Sequence, residues 1–552
     1  MATDQAVAGG ATGPTGVAAT TSTTSGGAQE GSTVTTPGTY ALDPDWVAHL
    51  RRYAVSSPRA QTMDTITPMT GRLLARLPVS SAREVELAFH GARAIQPSWE
   101  QLPVHLRSEF FLRLHDLVLA HQVELLDLIQ LESGKARVHA FEEIVDVAQV
   151  ARYYARSGPD LLRAQRRSGI VPGLTRVEEV RHAKGVVGIV SPWNYPLSLA
   201  ITDAIPALVA GNTVVLRPDP QGSLTALFVA DLLTRAGLPS RALQIVLGPA
   251  DTARAVVEQA DYISFTGSTA TGREVGAVAG RRLVGASLEL GGKNSLYVAA
   301  DADLDRAAEG AVGACFTSAG QLCISAERLL LHESIADDFL ARFLPRVEAL
   351  RLGTNLTFDA DLGSLVSAAQ LERVQRHVEE AVAAGATVLT GGRARPDIGP
   401  FFFEPTVLEG VTEAMDVCRE ETFGPVASVY RVGSDAEAIE RANDTDYGLN
   451  ASVWTRDIGR GRTIARAIKA GSVNVNDGHG AAYASTAAPM GGMKASGLGR
   501  RHGVEGLLKY TEPQTIAVQR GMNLGAPAGV SGEQLASTMT WALRAMKVLG
   551  RR

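Results

Sequence analysis

From Ala82 to Ser157 apolar residues recur at three- and four-residue spacing, as in "FFLRLHDLVLAHQVELLDLIQLESGK", which predicts amphipathic helices with Gly134 as a stop. After Gly173 the rhythm shortens. The stretch "RVEEVRHAKGVVGIV" holds β-like runs, and its alternating first part predicts an exposed hairpin arm. Short apolar strands then alternate with helical patterns. "GVVGIVSP" leads into a helix from about Ser198, "NTVVLRP" into one from about Ser223, "LQIVLG" into one from about Asp251, and "YISFTG" into one from about Thr269. Such alternation predicts βαβ units, a parallel sheet with helices on both faces. A second series follows Gly291: "NSLYVAA", a helix Leu304–Phe316, "RLLLHE", a helix Ile335–Leu350, "GATVLTGG" and "PVASVYRV". No internal repeat is visible.

Length adds that one core is not enough, since 552 residues suggest two or three domains. The composition, 45% hydrophobic and 20% charged, is that of an ordinary globular protein, and a net charge of −5 offers nucleic acid no basic field. Cys315, Cys323 and Cys418 are sparse and lack CxxC spacing. They fit a reducing compartment and argue against a disulfide framework or a zinc site. No run approaches the roughly 18 to 20 apolar residues needed to cross a bilayer. The start, "MATDQAVAGGATGPTG", lacks the basic and apolar regions of a secretory signal, so a cytoplasmic protein is expected. Residues 1–39, nearly all Ala, Gly, Ser, Thr and Pro, read as a disordered tail.

Four stretches carry chemistry. "FTGSTATGREV" sets Gly267 and Gly272 between a strand and a helix, where glycines let backbone approach a pyrophosphate and the helix N-terminus supplies N–H groups. "SPWNYPL" follows a strand end and offers the Asn194 carboxamide as an oxyanion donor. "LELGGKNS" places Glu289 between Leu288 and Leu290, where burial raises a carboxyl pKa. "FTSAGQLCIS" sets Cys323 among polar residues rather than core aliphatics. Each has a plainer reading alone: turn glycines, a turn Asn, a solvated Glu, an inert buried thiol. Together, Asn194, Glu289 and Cys323 are the donor, base and nucleophile of an acyl-enzyme mechanism beside a nucleotide-type fold.

With these residues in view, the chain resembles the aldehyde dehydrogenase superfamily over roughly Thr65 to Gln519. The stretches "GNTVVLRP", "FTGSTATG", "LELGGKN", "GQLC", "EETFGPV", "YGLNASVW" and "APMGGMKASGLGRRHG" stand in the family's order, and Cys323 follows Glu289 by the family's 34 positions. The resemblance implies an α/β fold: a Rossmann-like cofactor domain (40–164 and 184–290), a catalytic α/β domain (291–490), and a small β oligomerisation arm with a C-terminal return (165–183 and 491–520). It implies Cys323 as nucleophile, Asn194 and the Cys323 backbone N–H as oxyanion donors, and Glu289 as the base that hydrolyses a thioester to a free acid. On the cofactor side it implies Glu421 at the nicotinamide ribose with Phe423 nearby, Gly267, Ser268 and Gly272 at the pyrophosphate, and Trp193 in the cleft wall. Arg217 stands where most members have Lys, and Pro220 where NAD-preferring members often carry Glu. An arginine suits phosphate, so NADP is the expected cofactor, with NAD tolerated. No metal is called for.

Further stretches, "GQLCIS", "RPDIGPFFFEPTVL", "ANDTDYGLNASVW" and "GLLKYTE", resemble the actinobacterial NADP-dependent succinate-semialdehyde dehydrogenases. Better-known relatives of that activity grip the substrate carboxylate with arginines where this chain has about Thr202 and Thr317. Ser485, Thr486 and His479, before "APMGGMK", are alternative donors, together with Thr317 itself. Residues 521–552 form a tail in which "LASTMTWALRAMKVLGRR" reads as a basic amphipathic helix. The favoured reading packs it on its own or a neighbouring subunit; the competing one lays it on a membrane surface, which would suit a long-chain fatty aldehyde dehydrogenase. A catalytically silent relative is the remaining alternative. The arm's open sheet edges predict a homodimer or homotetramer.

Overall fold

The strands read as continuous apolar runs lie side by side in one parallel sheet, in the order Gly285–Glu289, Tyr262–Thr266, Val186–Ser191, Thr213–Pro218 and Leu243–Ile245. Every residue of Val186–Ser191 and Thr213–Pro218 is buried, because helices cover both faces. This is why neither strand alternates polar with apolar. The computed structural model describes residues 17–20, 39–169, 175–520, 525 and 528–548. The strand order makes the first strand of the series, Val186–Ser191, the neighbour of the fourth, Tyr262–Thr266. At that point the winding reverses and opens a crevice at the strands' carboxyl ends. Gly497–Leu498 returns from far down the chain and pairs antiparallel with Gly285–Glu289.

The predicted helical region is divided into Ala82–Gln101, Val104–Ala120, Gln122–Ser133 and Arg137–Leu161. Ser81 and Glu84 close a capping box at its start, and Gly134 ends the third helix at φ 77°, the left-handed region glycine enters freely. The helix expected from Ser198 runs only to Ile201 and resumes at Ala204–Val209. Pro206 explains the break, since it has no N–H to return to the carbonyl of Thr202.

A second sheet runs Thr387–Thr390, Thr406–Glu409, Val426–Val432, Ala326–His332, Asn294–Val298, Asn450–Trp454 and Ser472–Val475, parallel except at its first strand. The helix Leu304–Phe316 forms as predicted, and Ala336–Glu348 forms within the predicted Ile335–Leu350. The arm is a third sheet in which Thr175–Ala183 lies between Gln165–Arg167 and Thr511–Gln519. Of the 1–39 segment expected to be disordered, Val17–Thr20 and Thr39 belong to the described residues, where Val17–Thr20 pairs with Thr39–Leu42. The rest of that segment lies outside the described residues. The tail helix spans Gly532–Val548 and exposes Trp541, Leu543 and Val548. Among the described residues, no helix is long and apolar enough to cross a membrane.

Candidate active site

The crevice at the reversal point is built from the two loops that leave it. After Ser191 the chain places Pro192, Trp193 and Asn194 in the wall, and after Thr266 it places Gly267 and Ser268 opposite. Glu289 ends the next strand along. Cys323 arrives from the second sheet, in the loop between the helix Leu304–Phe316 and the strand Ala326–His332. That loop carries three consecutive residues at positive φ, Ser318 (53°), Ala319 (54°) and Gly320 (70°). A Cβ on Gly320 would stand 2.0 Å from the carbonyl oxygen of Gly424. Ser318 and Ala319 hold a conformation costly for residues with a Cβ, which requires support from the surroundings. The support comes from His139 Nδ1, which accepts from the Ser318 N–H at 3.1 Å, and from Gln321, whose amide nitrogen donates to the Ser318 and Ser364 carbonyls.

Two cavities meet at the sequence-predicted trio. The first, lined by Trp193, Gly267, Ser268, Glu421 and Phe423, reaches Asn194, Glu289 and Cys323 from one side. The second reaches the same three residues from the other and is walled by Tyr195, Ser198, Leu322, Ile324 and Leu449. Asn194 Nδ2 donates one hydrogen to the Gln321 carbonyl at 3.0 Å. Its second amide hydrogen is left for an oxyanion. Glu289 Oε1 is buried without a hydrogen-bond partner. Burial, with repulsion from Asp203, pushes the Glu289 carboxyl up to about 8 against the pull of Arg501 and Lys509. Burial, with Glu421 and Glu289 nearby, pushes the Cys323 thiol up to about 12.

The first cavity has the form of a dinucleotide cleft. The helix Thr269–Arg282 points its N-terminus into it, capped by Ser268, whose hydroxyl accepts from the Thr271 N–H at 3.3 Å. Glu421 Oε1 accepts from the Gly292 N–H at 2.9 Å, and a Cβ on Gly291 would stand 2.4 Å from Glu421 Oε2, so the glycine pair lets this carboxylate in. Burial raises the Glu421 carboxyl to about 8. Trp193 and Phe423 meet edge to face at 5.6 Å. Phe423 sits at φ 55° because Glu327 holds its N–H at 2.9 Å and that of Thr422 at 3.0 Å, while Lys293 Nζ lies 2.5 Å from the same carboxylate. A helix N-terminus, a buried carboxylate and an aromatic wall in one cleft fit a nicotinamide dinucleotide.

Other predicted residues lie elsewhere. Arg217 is buried and its guanidinium is engaged: Nε and Nη2 donate to the Gly248 carbonyl at 3.0 and 2.7 Å. Gly272 does not line the cleft; a Cβ there would strike Leu290 at 2.3 Å, so it serves close helix–strand packing. Thr317 donates to the Gly313 carbonyl at 2.7 Å, closing its helix. Ser485 is exposed and donates to the Ala481 carbonyl at 2.7 Å. Thr486 and His479 each bury an unpartnered atom, and neither lines the second cavity. Thr202, singled out in the sequence as the place of a missing arginine, lines it, and so do Ser198, Tyr483, Arg501 and His502, which sequence reasoning passed over. Arg501 stands within a quoted motif, "GLGRRHG", yet nothing in that pattern says which of two adjacent arginines turns inward.

A family model described as the aldehyde dehydrogenase family matches residues 55–516. A Mycolicibacterium smegmatis protein provisionally named succinate-semialdehyde dehydrogenase, NADP(+), is 52% identical over 87% of this chain and 93% of its own length. The mitochondrial succinate-semialdehyde dehydrogenase of Oryza sativa subsp. japonica is 36% identical over 83% of this chain and 86% of its own. Among solved structures, an NADP-dependent enzyme of E. coli superposes with TM-score 0.82 at 32% identity, covering 86% of this chain and 99% of that one. A betaine aldehyde dehydrogenase of Staphylococcus aureus in complex with NAD+ gives TM-score 0.82 at 30% identity, covering 87% and 97%.

Proposed function

Because the chain belongs to the aldehyde dehydrogenase family, we propose that it oxidises succinate semialdehyde to succinate with NADP as hydride acceptor, NAD being tolerated. The observation that carries the chemistry is the meeting of two cavities at Asn194, Glu289 and Cys323. The names of the mycobacterial and rice relatives support the substrate. NADP is supported by the first of these names and by Pro220, which leaves no carboxylate at that position to repel a 2′-phosphate.

Resting Cys323 holds its proton, so the proton leaves as sulfur adds to the aldehyde carbon, with Glu289 as the acceptor sharing its cavity. The new alkoxide accepts hydrogen bonds from the second Asn194 amide hydrogen and the Cys323 backbone N–H, and one such donor contributes about 10²- to 10³-fold in rate. Trp193, Phe423, Glu421 and the Ser268 helix terminus hold the dinucleotide. When bound, its nicotinamide supplies the hydride acceptor that turns the thiohemiacetal on Cys323 into a thioester. Glu289 passes that first proton to solvent and then takes another from water as the hydroxide adds to the thioester; the Cys323 thiolate leaves, is reprotonated by Glu289, and the acid is released.

The protein acts as a homodimer or homotetramer through the arm, whose outer strand Thr511–Gln519 exposes Ile516 and Val518. The test of substrate and cofactor is a steady-state screen of succinate semialdehyde and butyraldehyde with NADP and NAD. A kcat/KM for succinate semialdehyde no better than for butyraldehyde removes the substrate, and a tenfold preference for NAD removes the cofactor assignment.

A further inference from the structure

The substrate cavity contains polar groups that the chemistry above does not use. Arg501 reaches it from the C-terminal return, fixed by a backbone pair with Met490. Its guanidinium is almost wholly buried. Nη2 donates to Thr202 Oγ1 at 2.8 Å and stands 3.1 Å from Asp203 Oδ2, while Nε and Nη1 have no acceptor among the described residues. Idle N–H groups on a buried guanidinium are costly, and their planar fork matches a carboxylate.

Two further observations point the same way. Ser198 Oγ and Tyr483 OH line this cavity beside the Asp146 carboxylate, with neither hydroxyl held in a close hydrogen bond. The Asp203 carboxylate is shared by Arg501 and Lys509, each at 3.1 Å, so two cations face one ion-paired anion. The remaining carboxyls, Asp146 and Glu289, are both pushed toward their neutral forms by burial, to about 6 and about 8. A buried guanidinium with unused donors, opening on the cavity that holds the nucleophile, is an anion site.

We propose that Arg501, together with the hydroxyls of Ser198 and Tyr483, receives the carboxylate of the ω-oxo acid substrate. The inference rests on the substrate reading above. It replaces the expected grip: the short Thr202 leaves room on the helix after Asn194, and Arg501 enters that room from a segment 299 positions further along the chain.

The experiment compares kcat/KM for succinate semialdehyde with that for butyraldehyde in wild type, R501Q, R501K, S198A and Y483F. R501Q is expected to lower the ratio about 10²-fold, mainly through KM for the acid aldehyde, with R501K restoring part of it. S198A and Y483F, which keep the Arg501–Asp203 pair, are expected to lower the ratio about fivefold each and carry the test if R501Q does not fold. A wild type that prefers succinate semialdehyde while R501Q, S198A and Y483F keep that preference overturns the subsite and leaves the substrate standing. A wild type without the preference overturns both.

Discussion

Cys323 sits in surroundings that keep its proton on, and Glu289 in surroundings that place its titration near the working range of a base. Cys323→Ala is expected to lower turnover by at least about 10⁴-fold while fluorescence titration still detects NADP binding. Glu289→Gln removes the acceptor of both proton transfers, so the first-turnover burst of reduced cofactor should slow and steady-state hydrolysis should fall about 10²- to 10⁴-fold. The sign of the pH effect follows from the raised carboxyl. Below about 8 Glu289 is protonated and cannot accept a proton, so steady-state turnover should rise with pH through about 8 and then level. A stopped-flow and steady-state pH series checks both, and a rising limb that survives in E289Q would assign it to another group. At this scale Asn194, Glu289 and Cys323 were legible because reaction chemistry demands those groups at strand ends and loops. Arg217 was not, because a long side chain goes where its hydrogen bonds are, and the Gly248 carbonyl comes from a different strand–helix turn.

The elements around the site are held by buried carboxylates at loop ends. Glu143 accepts from the Leu197 and Ser198 N–H groups at 2.9 Å each and pairs with Lys135 at 2.7 Å, fixing the turn that presents Asn194. Lys135 Nζ in turn lies 3.4 Å from the centre of the Tyr195 ring. Glu143→Ala leaves a buried ammonium unpaired and is expected to cost about 3 to 5 kcal/mol, measured by urea unfolding. Glu327 does the same for the Glu421–Phe423 loop. Glu327→Gln should raise KM for the cofactor on the order of tenfold with a smaller change in kcat, since a slightly displaced ribose contact weakens binding before chemistry. The βαβ alternation and most helix starts were readable from periodicity and caps. Pro206 was a local signal for the break beside it, whereas the Cys323 loop was not readable, because a positive φ at Ser318 and Ala319 is imposed by tertiary partners such as His139.

For the whole molecule, the arm and the return decide how the two sheets become an enzyme. Ile516 and Val518 are 44% and 45% exposed on an outer strand, which a second copy of the chain would cover. Ile516→Glu with Val518→Glu is expected to shift the oligomer toward monomer in light scattering at micromolar concentration, with retained helical circular dichroism. An unchanged mass would place the interface elsewhere. The same return that forms the arm also carries Gly497–Leu498 into the cofactor sheet and Arg501 into the substrate cavity.

Sequence alone determined the family: the order of motifs, the strand–helix alternation, and the strand ends and loop that carry Asn194, Glu289 and Cys323. These are local facts, because each depends on a residue type at the end of one strand or in one loop. Tertiary structure alone decided which arginine lines the cavity beside Cys323 and which glycines line the cleft next to it. Thr202 and Arg501 lie 299 positions apart and touch at 2.8 Å. No periodicity encodes such a contact, since it exists only when the C-terminal return closes the sheet edge beside Glu289.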